Sequence, residues 1–264
     1  MKYTDQIGHT IHINSPPSRI ISLVPSQTEL LAYLGLNDET IGITKFCIHP
    51  DAWFRSKKRV GGTKNVDFDK IEQLHPDLII CNKEENKESD VKTLMEKYPV
   101  WTSDIHNLKD ALNMINSVGD IVAKKEEALK LTQQIKRNFE SLRPSKKEPL
   151  RVLYLIWKNP YMAAGKDTFI DYMLSQCNLL NVCDVSMGRY PELTNEQINT
   201  LRPQVILLSS EPYPFKEKHA VEFSSYYKEI IYVLVDGEYF SWYGSRLLHA
   251  PQYLKNIMEN YIKV

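Results

Sequence analysis

Ile71-Glu-Gln-Leu-His-Pro-Asp-Leu-Ile-Ile returns 127 residues later as Ile198-Asn-Thr-Leu-Arg-Pro-Gln-Val-Ile-Leu. Apolar positions and the proline fall in register, and two residues ahead of each block stand Asp69 and Glu196. A second pair, Pro17-Ser-Arg-Ile-Ile-Ser-Leu-Val and Pro149-Leu-Arg-Val-Leu-Tyr-Leu-Ile, lies 132 residues apart counted from Arg19 to Arg151. Two unrelated stretches at nearly one offset point to a duplicated unit. Each copy predicts a short helix, over 69–74 and 196–201, stopped by a proline that cannot continue it, then a strand apolar throughout. Such strands belong in a parallel sheet covered on both faces.

Further strands are expected over 20–24, 40–44, 152–156 and 231–235, with helices over 27–34, 89–97 and 168–175 between them. This alternation makes the chain α/β: two Rossmann-like lobes with parallel sheets. Between the copies, Val118, Ile121, Val122, Ala128, Leu129, Thr132, Ile135, Phe139 and Leu142 recur mostly at three- and four-residue steps among Lys and Glu. They predict one long amphipathic helix, broken near Arg143-Pro-Ser-Lys-Lys-Glu-Pro. Some 25 residues at 1.5 Å each would span about 38 Å, enough for a stiff backbone to both lobes, although a surface helix packed on one lobe has the same pattern. The expected organisation is an N-terminal α/β lobe over 1–116, the linking helix over 117–143 and a C-terminal α/β lobe over 144–264.

The 264 residues fit two modest lobes or one large domain at roughly 150 residues per domain. A composition 42% hydrophobic and 25% charged is globular. Thirty-three basic residues balance thirty-three acidic ones, so no overall field exists to hold nucleic acid or an anionic membrane, and no nucleic-acid partner is expected. Apolar runs stay far below the roughly 20 residues of a membrane span. Met1-Lys-Tyr-Thr-Asp-Gln-Ile-Gly-His-Thr shows neither a basic start with an apolar stretch nor a small-residue cleavage site. No export signal is visible there, which leaves a cytoplasmic location open. Cys47, Cys81, Cys177 and Cys183 lack zinc-knuckle spacing; Cys81 reads as core, and Cys177 and Cys183 stand close enough to bridge in an oxidising compartment.

Ser22-Leu-Val-Pro-Ser-Gln-Thr-Glu-Leu-Leu-Ala-Tyr-Leu-Gly-Leu, Ile41-Gly-Ile-Thr, Val60-Gly-Gly-Thr and Asp69-Lys-Ile-Glu-Gln-Leu-His-Pro-Asp-Leu-Ile-Ile, in that order, resemble the periplasmic substrate-binding proteins of iron-siderophore, haem and cobalamin ABC importers, closest to the cobalamin-binding branch of these helical-backbone metal receptors. The resemblance runs from about Ile7 to the C-terminus. It implies two α/β lobes joined by a long backbone helix, a metal chelate held in the cleft between them, delivery to an ABC permease and a periplasmic or extracytoplasmic location. It implies no enzyme activity and no resident cofactor, since the ligand would itself carry cobalt or iron. A monomer is expected. The family also sets one acidic residue at this helix start on each lobe against arginines of the permease, which carries that role to Asp69 and Glu196. Acids there are also favoured by the helix dipole alone, by about 0.3–1 kcal/mol.

In open α/β sheets ligands meet the loops after the strands. Those loops supply Ser26 at a helix start, Lys45 and Phe46, then Lys83 and Glu84 in Asn82-Lys-Glu-Glu-Asn, which reads equally as ligand contact or as a solvated loop. The second half supplies Trp157 and Tyr161, Glu211 and Tyr213, then Glu238, Trp242, Tyr243 and Arg246. Rings on short loops suit a broad planar ligand, whereas Trp157 and Phe240 would also serve as plain core. The resemblance sets an aromatic residue at Phe46 and an arginine near the ligand at Arg246; an ion pair of Arg246 with Asp236 or Glu238 would look the same in sequence. The polar character of the Lys83 and Glu211 loops departs from a hydrophobic corrin site.

Enzyme motifs are missing: no Gly-x-Ser-x-Gly elbow, no phosphate-binding Gly-x-x-x-x-Gly-Lys loop, no Gly-x-Gly-x-x-Gly and no His-Glu-x-x-His. His9 and His12 stand three apart in an expected strand or loop, a poor spacing for joint metal ligation. The rival reading is a cytoplasmic enzyme or metal-handling protein using Glu84, Glu85, Glu211, Asp236 and Glu238 as converging cleft carboxylates.

Overall fold

Arg19 and Arg151, the arginines that align the two copies, do the same job in each. In the first, the Arg19 Nη2 donates to Leu74 O at 2.5 Å and its Nε to His75 O at 3.1 Å. In the second, Arg151 donates to Leu201 O and Arg202 O. Each thus occupies carbonyls that a helix C-terminus leaves without an intrahelical partner. The helices are Phe68–Leu74 and Asn195–Leu201. Both end in a left-handed residue, His75 at φ 43° and Arg202 at φ 48°, before the matched prolines. Both begin with a side-chain cap: Asp67 accepts from Lys70 N, and Thr194 from Gln197 N in a reciprocal capping box.

The computed structural model describes residues 1–142, 148–226 and 229–262. By its contacts the chain forms two units, one of Met1–Ile105, Lys109–Gln134 and Tyr243–Arg246, the other of His106–Leu108, Ile135–Trp242 and the chain from Leu247 onward. The expected boundary at 143/144 lies outside the described residues.

The first unit opens with a hairpin, β1 (Lys2–Thr4) and β2 (Thr10–His12). It continues β3 (Ile20–Ser22), α1 (Pro25–Tyr33), β4 (Thr40–Ile43), α2 (Asp51–Ser56), β5 (Lys58–Arg59), α3 (Phe68–Leu74), β6 (Leu78–Asn82), α4 (Glu88–Met95), β7 (Val100–Ser103) and α5 (Leu108–Ile121). Its sheet runs β5-β4-β3-β6-β7, all parallel. Every residue of β6 is buried, as expected of a strand covered on both faces. Ile71, Ile79 and Val100 meet in the core beneath it.

The chain passes from one unit to the other within α6 (Lys125–Glu140). The apolar pattern from Val118 is therefore divided: its first turns finish α5, and Ala123 at φ 57° separates the helices, with Lys124 N donating to Gly119 O at 2.7 Å. The 16 residues of α6 span about 24 Å rather than 38 Å. The expected break near Arg143 lies outside the described residues. A Cβ on Gly119 would collide with the Ala128 Cβ and sit 3.0 Å from Lys124 O, so the turn closes only around glycine. Gly119→Val is expected to destabilise the fold by about 1–3 kcal/mol through overpacking, read as a lower urea midpoint; an unchanged midpoint would show that α5 and α6 have room to part.

The second unit continues β8 (Leu150–Trp157), β9 (Tyr161–Ala163), α7 (Phe169–Gln176), β10 (Leu179–Asn181), β11 (Glu192–Leu193), α8 (Asn195–Leu201), β12 (Val205–Ser209), α9 (Glu217–Tyr226), β13 (Ile231–Val235), α10 (Glu238–Ser241) and α11 (Ala250–Ile257). Its sheet runs β11-β9-β8-β12-β13, with β10 also on β8. The β8, β10, β12 and β13 pairings are parallel; β9 and β11 add antiparallel edges too short to show in sequence. Ile198, the counterpart of Ile71, is fully buried with Leu153, Ile206 and Phe223. All four cysteines are buried free thiols, Cys177 and Cys183 included, and burial pushes Cys177 up to about 12 and Cys183 up to about 11.

Candidate functional site

In the first unit the candidate residues stand where β3, β4 and β6 end. Ser26 lies in the first turn of α1, buried, its Oγ without a hydrogen-bond partner among the described residues. After β4, Phe46 is 51% exposed, with the Lys45 ammonium 5.0 Å from its ring centroid. A Cβ on Gly62 would lie 3.3 Å from both side chains, so the ring rests against bare backbone. Lys45 and Phe46 thus form one cation-carrying aromatic surface open to solvent.

The loop after β6 is a built polar network rather than a loose wet turn. Asn86 accepts from Asn82 N at 2.8 Å and donates to Leu23 O and Thr63 O, while Asn82 Oδ1 accepts from Glu84 N and Glu85 N. Both asparagines are buried. They leave Lys83 outside, paired with Asp104 at 2.6 Å, and Lys64 bonded to Glu84 O. Burial pushes the Glu85 carboxyl up, opposed in part by Lys64. Lys64 and Asp104 carried no signal in sequence, being brought in from other loops, whereas Gly62 stands in the Val60-Gly-Gly-Thr motif.

Tyr243 and Arg246 belong to this first unit. Arg246 grips Glu29 of α1 with two bonds, Nε to Oε2 at 3.1 Å and Nη2 to Oε1 at 2.6 Å, both side chains largely buried. This fork-on-carboxylate pairing fixes the segment, and Gly244 packs on Ser26 O so closely that a Cβ there would collide. Tyr243 is 6% exposed.

In the second unit Trp157 ends β8 with 41% of its surface open and meets the Tyr213 ring edge-on at 5.7 Å. Tyr161 is half-buried against Phe223 at 5.0 Å. Phe240 is core, 1% exposed. Glu211 Oε1 accepts from Ser241 Oγ at 2.7 Å and from Trp242 Nε1 at 3.0 Å, and Trp242 is buried. Asp236 Oδ1 accepts from Glu238 N at 3.1 Å, at the start of α10. Glu211, Asp236 and Glu238 thus share the ends of β12 and β13, while Glu84 and Glu85 belong to the first unit. Among the described residues no group of three or more His, Cys, Asp or Glu is placed to hold a metal ion. Asp69 and Glu196 are exposed at matching positions in α3 and α8, and the Glu196 carboxyl is held below its usual range by its own backbone N–H and by Thr194.

Exposed rings at the carboxyl ends of parallel strands, with charged groups beside them, are suited to holding a ligand face rather than to bond-breaking. The periplasmic binding protein family model matches residues 20–228. The vitamin B12-binding protein of Vibrio cholerae serotype O1 is 25% identical over 197 residues, covering 74% of this chain and 71% of that protein. Among solved structures, the periplasmic vitamin B12 binding protein BtuF of Vibrio cholerae superposes with a TM-score of 0.76 at 23% identity, over 91% of this chain and 97% of that one. The periplasmic haem-binding protein RhuT from Roseiflexus sp. RS-1 gives 0.75 at 18% identity, over 89% and 95%. With a match spanning both copies of the repeat and the helix between them, the chain belongs to the periplasmic binding protein family.

Proposed function

We propose that the protein is the substrate-binding component of an ABC importer and takes a metal chelate, a cobalamin-like corrinoid ahead of haem or a ferric siderophore. It works outside the cytoplasmic membrane, without turnover and without a resident cofactor, the cobalt or iron arriving in the ligand. The observation that carries this reading is the pair of half-open rings, Phe46 in one unit and Trp157 in the other, each at a strand's carboxyl end. Large flat side chains give contact area at small entropic cost and suit a macrocycle. Lys45 beside Phe46 and Tyr213 beside Trp157, with Lys83 in the loop after β6, offer donors to amide or carboxylate groups at its rim. Asp69 and Glu196 would meet arginines of the permease.

The carboxylates support the enzyme reading less: Glu211 is engaged by Ser241 and Trp242, and Glu84 and Glu85 belong to the first unit. A thermal-shift panel of cyanocobalamin, haemin and ferric siderophores tests the proposal. A ligand at a hundred times its Kd is expected to stabilise by about 2.7 kcal/mol, a plain rise in midpoint. No shift with any of them, or a substrate consumed by the purified protein and spared by Glu238→Gln, would overturn it.

A further inference from the structure

His219 is 5% exposed in the first turn of α9, and its two ring nitrogens have fixed roles. Nδ1 accepts from the backbone N–H of Lys216 at 2.9 Å, so it carries a lone pair and the proton resides on Nε2. Nε2 lies 3.4 Å from the Tyr213 hydroxyl and therefore donates to it. The Tyr213 oxygen being engaged as acceptor, its own proton has no partner among the described residues and is left to donate outward. The ring is further held by Phe215 at 4.8 Å and by the edge of Trp157 at 5.7 Å.

We propose that His219 is a positioning residue for the ligand face of the second unit: as the neutral Nε2–H tautomer it holds Tyr213, and through it Trp157, in the binding geometry, and its protonation releases them. This rests on the reading above that Trp157 and Tyr213 touch the ligand. The mechanism is steric as much as electrostatic. A proton on Nδ1 would set two N–H groups against each other across 2.9 Å, so the imidazolium must leave the Lys216 turn and take its hold on Tyr213 with it. The charges facing the ring oppose protonation as well: Lys158 at the end of β8, and Lys216 and Lys218 ahead of and within α9, against the one carboxylate among the described residues, Glu222, which is bonded to Lys158. Burial first and then Lys158 hold His219 below the ordinary histidine value of 6.5. A depressed value of this sign leaves the arrangement intact above pH 6.5 and removes it as pH falls through the folded-state value.

The purified full chain tests this in two arms. In the first, cyanocobalamin affinity is measured from about pH 7.5 to pH 5. The wild type is expected to weaken several-fold on acidification, His219→Ala to be weaker throughout, and His219→Gln, which keeps an amide donor but cannot titrate, to bind with an affinity that no longer changes with pH. A flat wild-type profile, or a His219→Gln profile that still falls, overturns the proposal. In the second, ligand-free arm, nitrogen NMR of labelled histidine is expected to show the Nε2–H tautomer at pH 7.5, with Tyr213 ring signals shifting in step as His219 titrates. An Nδ1–H tautomer, a charged His219 at pH 7.5, or an unmoved Tyr213 overturns the proposal whether or not cyanocobalamin binds; failure of every chelate to bind, with this arm as expected, overturns only the ligand assignment.

Discussion

Reversing both helix-start acids, Asp69→Lys together with Glu196→Lys, is expected to reduce uptake in cells that depend on this protein to the level of a deletion, while the ligand affinity of the purified variant stays that of the wild type. Both side chains are exposed, and neither caps its helix. Asp67 and Thr194 do that, with bonds to Lys70 N and Gln197 N. The dipole cost of two cations in first turns is about 0.3–1 kcal/mol each, too little to unfold a domain. Lost uptake with intact binding thus isolates docking from fold and from the ligand face. Unchanged uptake by the double variant would remove the docking role from both positions.

Phe240→Ala is expected to cost about 3–5 kcal/mol in the unfolding of the second unit, the usual price of an aromatic cavity in a close-packed interior. Phe240 is 1% exposed, tilted on Tyr154 at 5.1 Å and edge-on to Tyr253 at 6.4 Å. Tyr154 is fully buried, with its hydroxyl on Ser209 at 3.3 Å, so neither ring can swing out to fill the gap without stranding a polar group. The damage should spread to Trp242 and Glu211, since α10 carries Ser241, which donates with the Trp242 indole to the same Glu211 carboxylate oxygen. Urea unfolding followed by tryptophan fluorescence measures it, and a loss under about 1 kcal/mol would mean that the site collapses onto itself.

The α/β class, most strands and the repeat could be read from the chain because each depends on near neighbours: a proline after a short helix, four or five apolar residues in a row, an arginine at a fixed offset. Arg19 and Arg151 align the copies in sequence for a reason visible only in three dimensions, since each closes the helix of its own unit. The long amphipathic pattern from Val118 could not show its interruption, because a single left-handed residue, Ala123, changes direction without changing periodicity. Site residues fared according to distance. Trp157 ends a strand, Phe46 stands in the loop after one, and both are open, as their place after apolar runs suggests. The partner of Arg246 is Glu29, 217 residues away, a pairing with no local signature. His219 sits inside the charged stretch Lys216-Glu-Lys-His, which carries no local mark of burial, yet its imidazole is buried because α9 packs Phe223 inward and turns this face with it.

The short stretch from Tyr243 to Arg246 has an implication for how the polypeptide matures. Translation delivers Glu29 early and its guanidinium clamp only 217 residues later. Until then the carboxylate of α1 is left to water, so the leading half of an emerging chain lacks this clamp. A gene fragment stopping after α6 should accordingly yield a soluble product only if residues 243–246 are supplied again, as a grafted loop or an added peptide.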